Sequence, residues 1–478
     1  MKDLLIEQAE QYIVEHQKDV KKRWYPTFHL APRIGWMNDP NGLVWFKGYY
    51  HAFYQHHPYS AFWGPMHWGH ARSKDLIHWE ELPIALAPSG EEDKDGCFSG
   101  SAVVDGETLV LIYTGHKFHG EKIDDNLYQV QCLAVSKDGV NFERQGMIID
   151  TPVGINHFRD PKVWKEKDSW YMVVGARVGD IGEVRLYKSA DLRHWCDAGI
   201  IGKADKSMGY MWECPDFFPL NDKYVLMFSP QGLKAEGYHN RNLFQSGYLT
   251  GTWHPNSKFI IEKPFKELDL GTDFYAPQSF VAPDGRRIVI AWLDMWESAM
   301  PEREDNWAGM LTLPRELTIT DDGLIQMNPI KEILKLRSKF TPFINLIEIN
   351  NEIDVVSSCK IAEIVLNINL KNSTAEKYGF KFGTGINVFI DNQAKRLVIE
   401  REYSQYQLFG TRSVELPESD QISLRIFIDM SSIEIFVNNG YACLSSRMYP
   451  ELNERNIKLY AYGGQADISG SGIWTLVI

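Results

Sequence analysis

Two internal repeats and one change of pattern predict an all-β chain, a five-bladed β-propeller followed by a C-terminal β-sandwich. The first repeat is a strand–tight turn–strand unit that occurs five times. The second is a polar Ser-x-Asp turn returning on an aromatic, once per roughly 50–60 residues. The change comes after Lys331-Glu332-Ile333-Leu334, where clean apolar–polar alternation takes over.

The chain opens with Leu4, Ile6, Ala9, Tyr12 and Ile13 at near-helical spacing, which predicts a short amphipathic helix over 3–20. The hairpin units follow. Leu43 to Tyr54 turns at Lys47-Gly48, and Ala102 to Tyr113 at Asp105-Gly106. Val163 to Val174 turns within Lys165 to Ser169, Phe217 to Phe228 at Asn221-Asp222, and Phe280 to Trp292 at Asp284-Gly285. The Ser-x-Asp turn stands at Ser73-Lys74-Asp75 with Trp79, at Ser136-Lys137-Asp138 with Phe142, and at Ser189-Ala190-Asp191 with Trp195. A degenerate copy runs from Ser246 to Trp253. One such turn per four-stranded sheet fits one per blade. In the last third, Ile422 to Ile428 alternates strictly, and Asn438-Asn439-Gly440 is a hairpin signal between Ile433–Val437 and Tyr441–Ser445. These patterns divide the chain into an N-terminal helical extension at 1–25, a propeller at 26–335 and a sandwich at 340–478.

Of 478 residues, 44% are apolar and 24% charged, which supplies an ordinary soluble core. With 50 Lys and Arg against 63 Asp and Glu, the net charge is −13, and no basic patch stands out. Nucleic acid and anionic membranes are excluded as partners on that ground. No run of eighteen apolar residues exists, and Met1 to Val20 has neither an apolar signal core nor a cleavage site, which predicts a cytoplasmic protein. Six cysteines at irregular spacing read as reduced, buried thiols.

The chemistry lies where each hairpin unit begins. The five entrances are Asn38-Asp39-Pro40-Asn41-Gly42, Phe98-Ser99-Gly100-Ser101, Phe158-Arg159-Asp160-Pro161, Trp212-Glu213-Cys214-Pro215 and Phe274-Tyr275-Ala276-Pro277. Asp-Pro and Asn-Gly are ordinary turn residues taken singly. Here three of five entrances carry a carboxylate at the equivalent point: Asp39, Asp160 and Glu213. In a propeller the innermost strands converge, so these three meet. Like charges in a desolvated funnel are costly to fold, and such clusters perform acid–base or nucleophilic work or hold a cation. There is no HExxH, EF-hand or P-loop, and Gly96 to Gly100 lacks the spacing of a nucleophile elbow. His56, His57, His67 and His70 cluster locally and read as structural or substrate-facing. No metal and no cofactor is expected.

Trp36-Met37-Asn38-Asp39-Pro40-Asn41-Gly42, Phe98-Ser99-Gly100-Ser101, Arg159-Asp160-Pro161, Glu213-Cys214-Pro215, Tyr275-Ala276-Pro277-Gln278 and the stretch Asp429 to Gly440 together resemble the signature segments of the invertase-type glycoside hydrolases, family 32. The resemblance implies the same propeller-plus-sandwich fold and a small-molecule β-fructofuranoside substrate, sucrose or sucrose 6-phosphate. It implies Asp39 as nucleophile, Glu213 as acid/base, and Asp160, beside Arg159, as the residue that holds sugar hydroxyls. Trp36, Met37, Asn38, Gln55, Trp63, Phe98, Ser99, Arg159 and Trp292 are the implied substrate-binding residues. Trp212, Cys214 and Pro215 are expected to give Glu213 an apolar surround, and Arg159 to keep Asp160 ionised. An exo-acting fructanase or a fructosyltransferase uses the same three carboxylates, and a non-catalytic sugar-binding propeller would have lost one. A phosphate on the substrate needs cations at the rim, for which the sequence offers His116, Lys117 and Arg177. The oligomeric state is open, a homodimer included.

Overall fold

The computed structural model describes residues 3–205 and 207–478; Met1 and Lys2 of the predicted extension lie outside the described residues. Helix α1 (Leu4–His16) opens the chain. Asp3 caps it by accepting from the Leu5 N–H at 3.0 Å, and Ala9 and Ile13 are its buried face. It ends earlier than predicted, in a single 3-10 turn at Gln17–Asp19. Among the described residues no helix is long and apolar enough to cross a membrane.

Strands follow in order. β1 (Gly35–Phe46), β2 (Tyr49–His57), β3 (His67–Ser73) and β4 (Trp79–Leu86) form the first sheet. β5 (Gly96–Asp105), β6 (Thr108–Phe118), β7 (Leu127–Ser136) and β8 (Glu143–Ile149) form the second. β9 (His157–Glu166), β10 (Ser169–Val178), β11 (Ile181–Ser189) and β12 (Trp195–Lys203) form the third. β13 (Met211–Leu220), β14 (Lys223–Gln231), β15 (Gly247–Thr252) and β16 (Ile260–Glu267) form the fourth. The fifth takes β17 (Tyr275–Val281) and β18 (Arg287–Trp292). After the short β19 (Trp307–Ala308), which pairs in parallel with β1, it takes β20 (Arg315–Ile319) and β21 (Ile325–Pro329). All five predicted hairpins are present, at their predicted turns.

The Ser-x-Asp repeat proves to be a capped turn between third and fourth strands. In the first sheet Ser73 Oγ accepts from the Asp75 N–H, and Asp75 accepts from the Ile77 and His78 N–H groups. Asp138 and Asp191 repeat that pattern in the second and third sheets. Ser246 to Trp253 does not belong to the series. Ser246 stands at the start of β15, bonded to Ser229, and the turn follows the strand.

The first strands of the five sheets pack on one another in sequence: β1 on β5, β5 on β9, β9 on β13, β13 on β17, and β17 back on β1. Their registers break at the same place. Residues between Met37 and Pro40, Phe98 and Gly100, Arg159 and Lys162, Glu213 and Asp216, and Tyr275 and Gln278 stand out of the ladder. Pro161, Pro215 and Pro277 sit in these bulges, where a missing N–H costs no ladder bond. The residue before each proline takes left-handed backbone, with φ 68° at Asp160, 47° at Cys214 and 51° at Ala276. Each such non-glycine residue costs on the order of 1–2 kcal/mol, which the surrounding sheets must hold in place. A bulge re-aims a side chain, and here it does so at three carboxylate-bearing entrances.

Beyond Arg337 the strands belong to two larger antiparallel sheets that share one apolar core. Ile364, Leu366 and Ile426 come from one sheet, and Tyr378, Phe380, Val388 and Ile399 from the other. Gln421–Ile428 buries alternate residues as predicted up to Ile426, with Phe427 buried too, against the first half of the chain, and Asn438–Gly440 turns between Ser432–Val437 and Ala442–Arg447. The two halves are joined by buried ion pairs. His29 stands between Asp429 at 2.8 Å and Glu434 at 2.6 Å, and Arg315 pairs with Asp269 at 2.8 Å and Glu434 at 2.5 Å. Five cysteines are buried and free; Cys196, on β12, is exposed, contrary to expectation, and unpaired.

Candidate active site

Four of the five bulges, those at Asn38–Asp39, Ser99, Asp160 and Glu213, contribute to the lining of a cavity of about 310 Å³. Asp39 comes from β1, Asp160 from β9 and Glu213 from β13, so three sheets deliver the three carboxylates to one wall. Asp39 accepts from Ser99 Oγ at 2.7 Å on one oxygen and from Asn38 Nδ2 at 3.0 Å on the other. Burial and the charge of Glu213 push its carboxyl up to about 6, against the pull of those donors. Asp160 accepts from the Cys214 N–H at 2.9 Å, and its own N–H donates to Thr114 Oγ1 at 3.0 Å. Burial raises it to about 7. Arg159 opposes that rise, while Glu213 and Asp39 add to it. Arg159 therefore does not keep Asp160 as ionised as expected, because it lies 4.0 Å away and burial outweighs it.

Arg159 serves Glu213 instead. Its Nε and Nη2 donate to Glu213 Oε1 at 3.0 and 2.8 Å. Gln231 Nε2 and the Tyr275 hydroxyl donate to Oε2 at 2.9 and 2.5 Å. The apolar surround expected for Glu213 is absent. Trp212 turns away to stack on Phe228, and the Cys214 thiol lies 3.5 Å from Asp39. Glu213 is fixed by four donors.

Asn38, Gln55, Trp63, Phe98, Ser99 and Arg159 line the cavity beside the carboxylates. Trp36, Met37 and Trp292 do not. They are fully buried behind the wall, where Trp36 stacks on Trp296 and Trp292 meets it edge-on. Trp296 takes the lining position that those two tryptophans were expected to hold. Their part is to support it, and the Trp36 indole N–H fixes Asn38 at 2.7 Å. Gln231 and Trp296 were not singled out by the sequence, and Tyr275 stood only in its entrance motif, with no role given. Reflecting β13 through its Asn221-Asp222 turn places Gln231 opposite Trp212, next to Glu213, and the bulge moves its partner to Met211; that reflection could have brought Gln231 near Glu213.

His56, His57, His67 and His70 resolve as structural. His56 meets the Trp36 carbonyl at 2.8 Å, His70 meets His51 at 2.9 Å and stacks on Phe53, and none of the four lines the cavity. Among the described residues no group of three or more His, Cys, Asp and Glu is placed to hold a metal. The three rim residues offered for a phosphate do not act as free cations. His116 stacks on Phe98, and burial pulls it down to about 3. Lys117 pairs with Glu91 at 3.2 Å and Arg177 with Asp180 at 3.2 Å.

A funnel of bulged strands that brings three carboxylates together holds the kinds of group that glycoside-cleaving sites use as nucleophile and acid/base. Residues 29–329 match the glycosyl hydrolases family 32 N-terminal domain and residues 332–475 the family 32 C-terminal domain; the chain belongs to glycosyl hydrolase family 32. It is 54% identical to a sucrose-6-phosphate hydrolase and 50% identical to a raffinose invertase, both of Escherichia coli, over 95% of each chain. Among solved structures it is similar to a β-fructofuranosidase of Bombyx mori bound to sucrose, with a TM-score of 0.87 and 36% identity. That match covers 100% of this chain and 99% of the other. A sucrose-6-phosphate hydrolase of Lactobacillus gasseri matches with a TM-score of 0.85 at 28% identity, over 98% and 96% of the two chains.

Proposed function

We propose that the protein hydrolyses the β-fructofuranosidic bond of sucrose or sucrose 6-phosphate with retention of configuration. The observation that carries this reading is the meeting of Asp39, Asp160 and Glu213, from three sheets, in one aromatic-walled cavity. Asp39 attacks the anomeric carbon of the fructosyl unit as Glu213 protonates the leaving oxygen. The Arg159, Gln231 and Tyr275 donors hold that acid in place. Water, deprotonated by Glu213, then releases fructose from Asp39. Asp160 hydrogen-bonds ring hydroxyls as the oxocarbenium-like charge develops. Asn38, Gln55, Trp63, Phe98 and Ser99 shape the fructosyl pocket.

The same reading takes the five sheets as five blades, closed where β17 packs against β1 and β19 pairs with it. The propeller spans 26–335 and the sandwich 340–478. The ring of packed first strands and the separate sheet pairing beyond Arg337 support it.

The test is product analysis with sucrose, sucrose 6-phosphate and inulin. Fructose should appear with glucose or glucose 6-phosphate, and Asp39→Asn and Glu213→Gln should each lose about 10³-fold or more in kcat. Processive release of fructose from inulin at a higher kcat/KM would favour a fructanase. Full activity in Asp39→Asn would overturn the assignment of the nucleophile.

A further inference from the structure

Trp296 reaches the catalytic cavity from the loop that follows β18. That loop runs from Leu293 to the 3-10 turn Pro301–Asp305. Within it Met295–Ser298 is a tight turn, closed by the Ser298 N–H donating to the Met295 carbonyl at 3.2 Å. Trp296 and Glu297 are the central residues of the turn, and Glu297 takes left-handed backbone at φ 62°. A non-glycine residue keeps that conformation only where its surroundings impose it. Trp296 itself is half-buried, stacked on Trp36 and edge-on to Trp292.

The loop is held at both ends by one side chain from the other half of the chain. Arg447 ends the strand Ala442–Arg447, within the residues that match the family's C-terminal domain. Its Nη1 donates to Asp294 Oδ2 at 2.7 Å, and its Nη2 pairs with Glu302 Oε1 at 3.0 Å. Asp294 stands two residues before Trp296 and Glu302 six after it. All three side chains are at most 1% exposed. The other Asp294 oxygen accepts from the Met295 N–H at 2.9 Å, where the turn begins. The guanidinium is fixed in its own sheet, its Nε donating to the Ser431 carbonyl at 3.1 Å. A planar guanidinium that bridges two buried carboxylates sets the distance between them as well as their charge. The ends of the loop are thereby fixed, and with them the arc that carries Trp296.

We propose that Arg447 is a positioning residue for substrate binding. By bridging Asp294 and Glu302 it sets where Trp296 stands in the catalytic cavity. The C-terminal half thus contributes to substrate affinity, although none of its described residues lines that cavity. The inference rests on the reading of the cavity as the site of sucrose cleavage. The donors on Asp39, Asp160 and Glu213 come from residues other than Trp296, so moving Trp296 weakens binding more than it slows the chemical step.

The test is steady-state kinetics on sucrose with the whole chain: wild type, Arg447→Lys, Trp296→Ala and the double variant. Wild-type turnover tests the function proposed for the site, and the variants test the role of Arg447. Lysine keeps the charge but cannot bridge both acids, so Arg447→Lys should raise KM about fivefold or more with kcat within about twofold. Trp296→Ala should raise KM at least as much. Adding Arg447→Lys to it should raise KM no further, because both changes act through one side chain. Circular dichroism reports whether Arg447→Lys is folded. If it is not, Asp294→Asn takes its place in the same cycle. The amide oxygen can serve Arg447 or the Met295 N–H but not both, so KM should rise about threefold, and not at all in the Trp296→Ala background. An unchanged KM in the folded variant, a loss confined to kcat, or effects that multiply in the double variant would overturn the proposal and leave Arg447 as a joint between the two halves. Absence of sucrose turnover in the wild type would overturn the function proposed for the site, and this inference with it.

Discussion

Arg159 places two hydrogen bonds, at 2.8 and 3.0 Å, on a single oxygen of Glu213, although Asp160 is its neighbour in the chain. The bulge at Asp160–Pro161 separates the two residues. Asp160 turns to meet the Cys214 N–H, while the guanidinium reaches across to the next sheet. Charge-assisted bonds of this kind fix geometry as well as charge. Arg159→Lys keeps the charge but loses the fork, so kcat for sucrose should fall about 10–100-fold with a smaller change in KM. Tyr275→Phe removes one donor to the other oxygen and should cost about tenfold in kcat. Steady-state kinetics check both; unchanged kcat in Arg159→Lys would refute the positioning role.

Asp39 must be ionised to attack, and burial with the nearby Glu213 charge holds it at about 6 in the free enzyme. The acidic limb of the kcat/KM profile reports a free-enzyme base. The acidic limb should therefore stand at about 6, two units above an ordinary aspartate, with activity falling as pH drops through it. Ser99→Ala removes the 2.7 Å donor to Asp39 and should move that limb to higher pH. A limb near pH 4 in the wild type would show that another group controls it.

Asp160 is raised to about 7 chiefly by burial, so its charge is a cost to the fold. A carboxyl raised on folding destabilises most above its folded value, and the cost fades as pH falls through that value toward the unfolded one. Asp160→Asn removes the charge and keeps the acceptor for the Cys214 N–H. At pH 8 it should raise Tm by a few degrees while lowering kcat about 10²–10⁴-fold. A Tm gain that is larger at pH 5 than at pH 8 would contradict the argument. Differential scanning calorimetry at the two pH values decides it.

How much could be read from the chain depends on what each feature needs. Hairpins need only local turn residues, and Lys47-Gly48 or Asn221-Asp222 announce them. The three carboxylates need only the repeat. Faces are different. The resemblance implied that Trp36 and Met37 bind substrate because they precede Asn38 in the motif, but both are buried behind the wall, on the far side of the bulge between Met37 and Pro40. Adjacency misled in the same way at Arg159, whose partner comes from another sheet. Gln231 reaches Glu213 from the neighbouring strand β14, within range of a hairpin reflection, whereas Tyr275 comes from the fifth sheet, a relation that only the three-dimensional arrangement reveals. The Ser246 copy of the turn repeat shows the opposite error, a matching pattern in the wrong part of a sheet.

The last prediction concerns His29, which lies in the lead-in to β1 and has both ring nitrogens on carboxylates, Asp429 at 2.8 Å and Glu434 at 2.6 Å. Burial alone would lower it. The hydrogen bonds and charges of the two acids outweigh burial and raise it to about 9. Because the folded value exceeds the unfolded value of about 6.5, the stabilisation is fully present below pH 6.5 and is lost as pH rises through 9. Against burial, the same protonation lowers Asp429, and Arg315 together with protonated His29 lowers Glu434, from their ordinary values. His29→Gln cannot carry the charge and leaves two buried acids poorly matched. It should therefore cost several kcal/mol of stability, roughly 3–5, near pH 6.5 and distinctly less near pH 10. Urea denaturation of both proteins across that range measures the difference. A gap that stays constant from pH 6.5 to 10 would mean that His29 is neutral in the fold and that packing alone makes the joint.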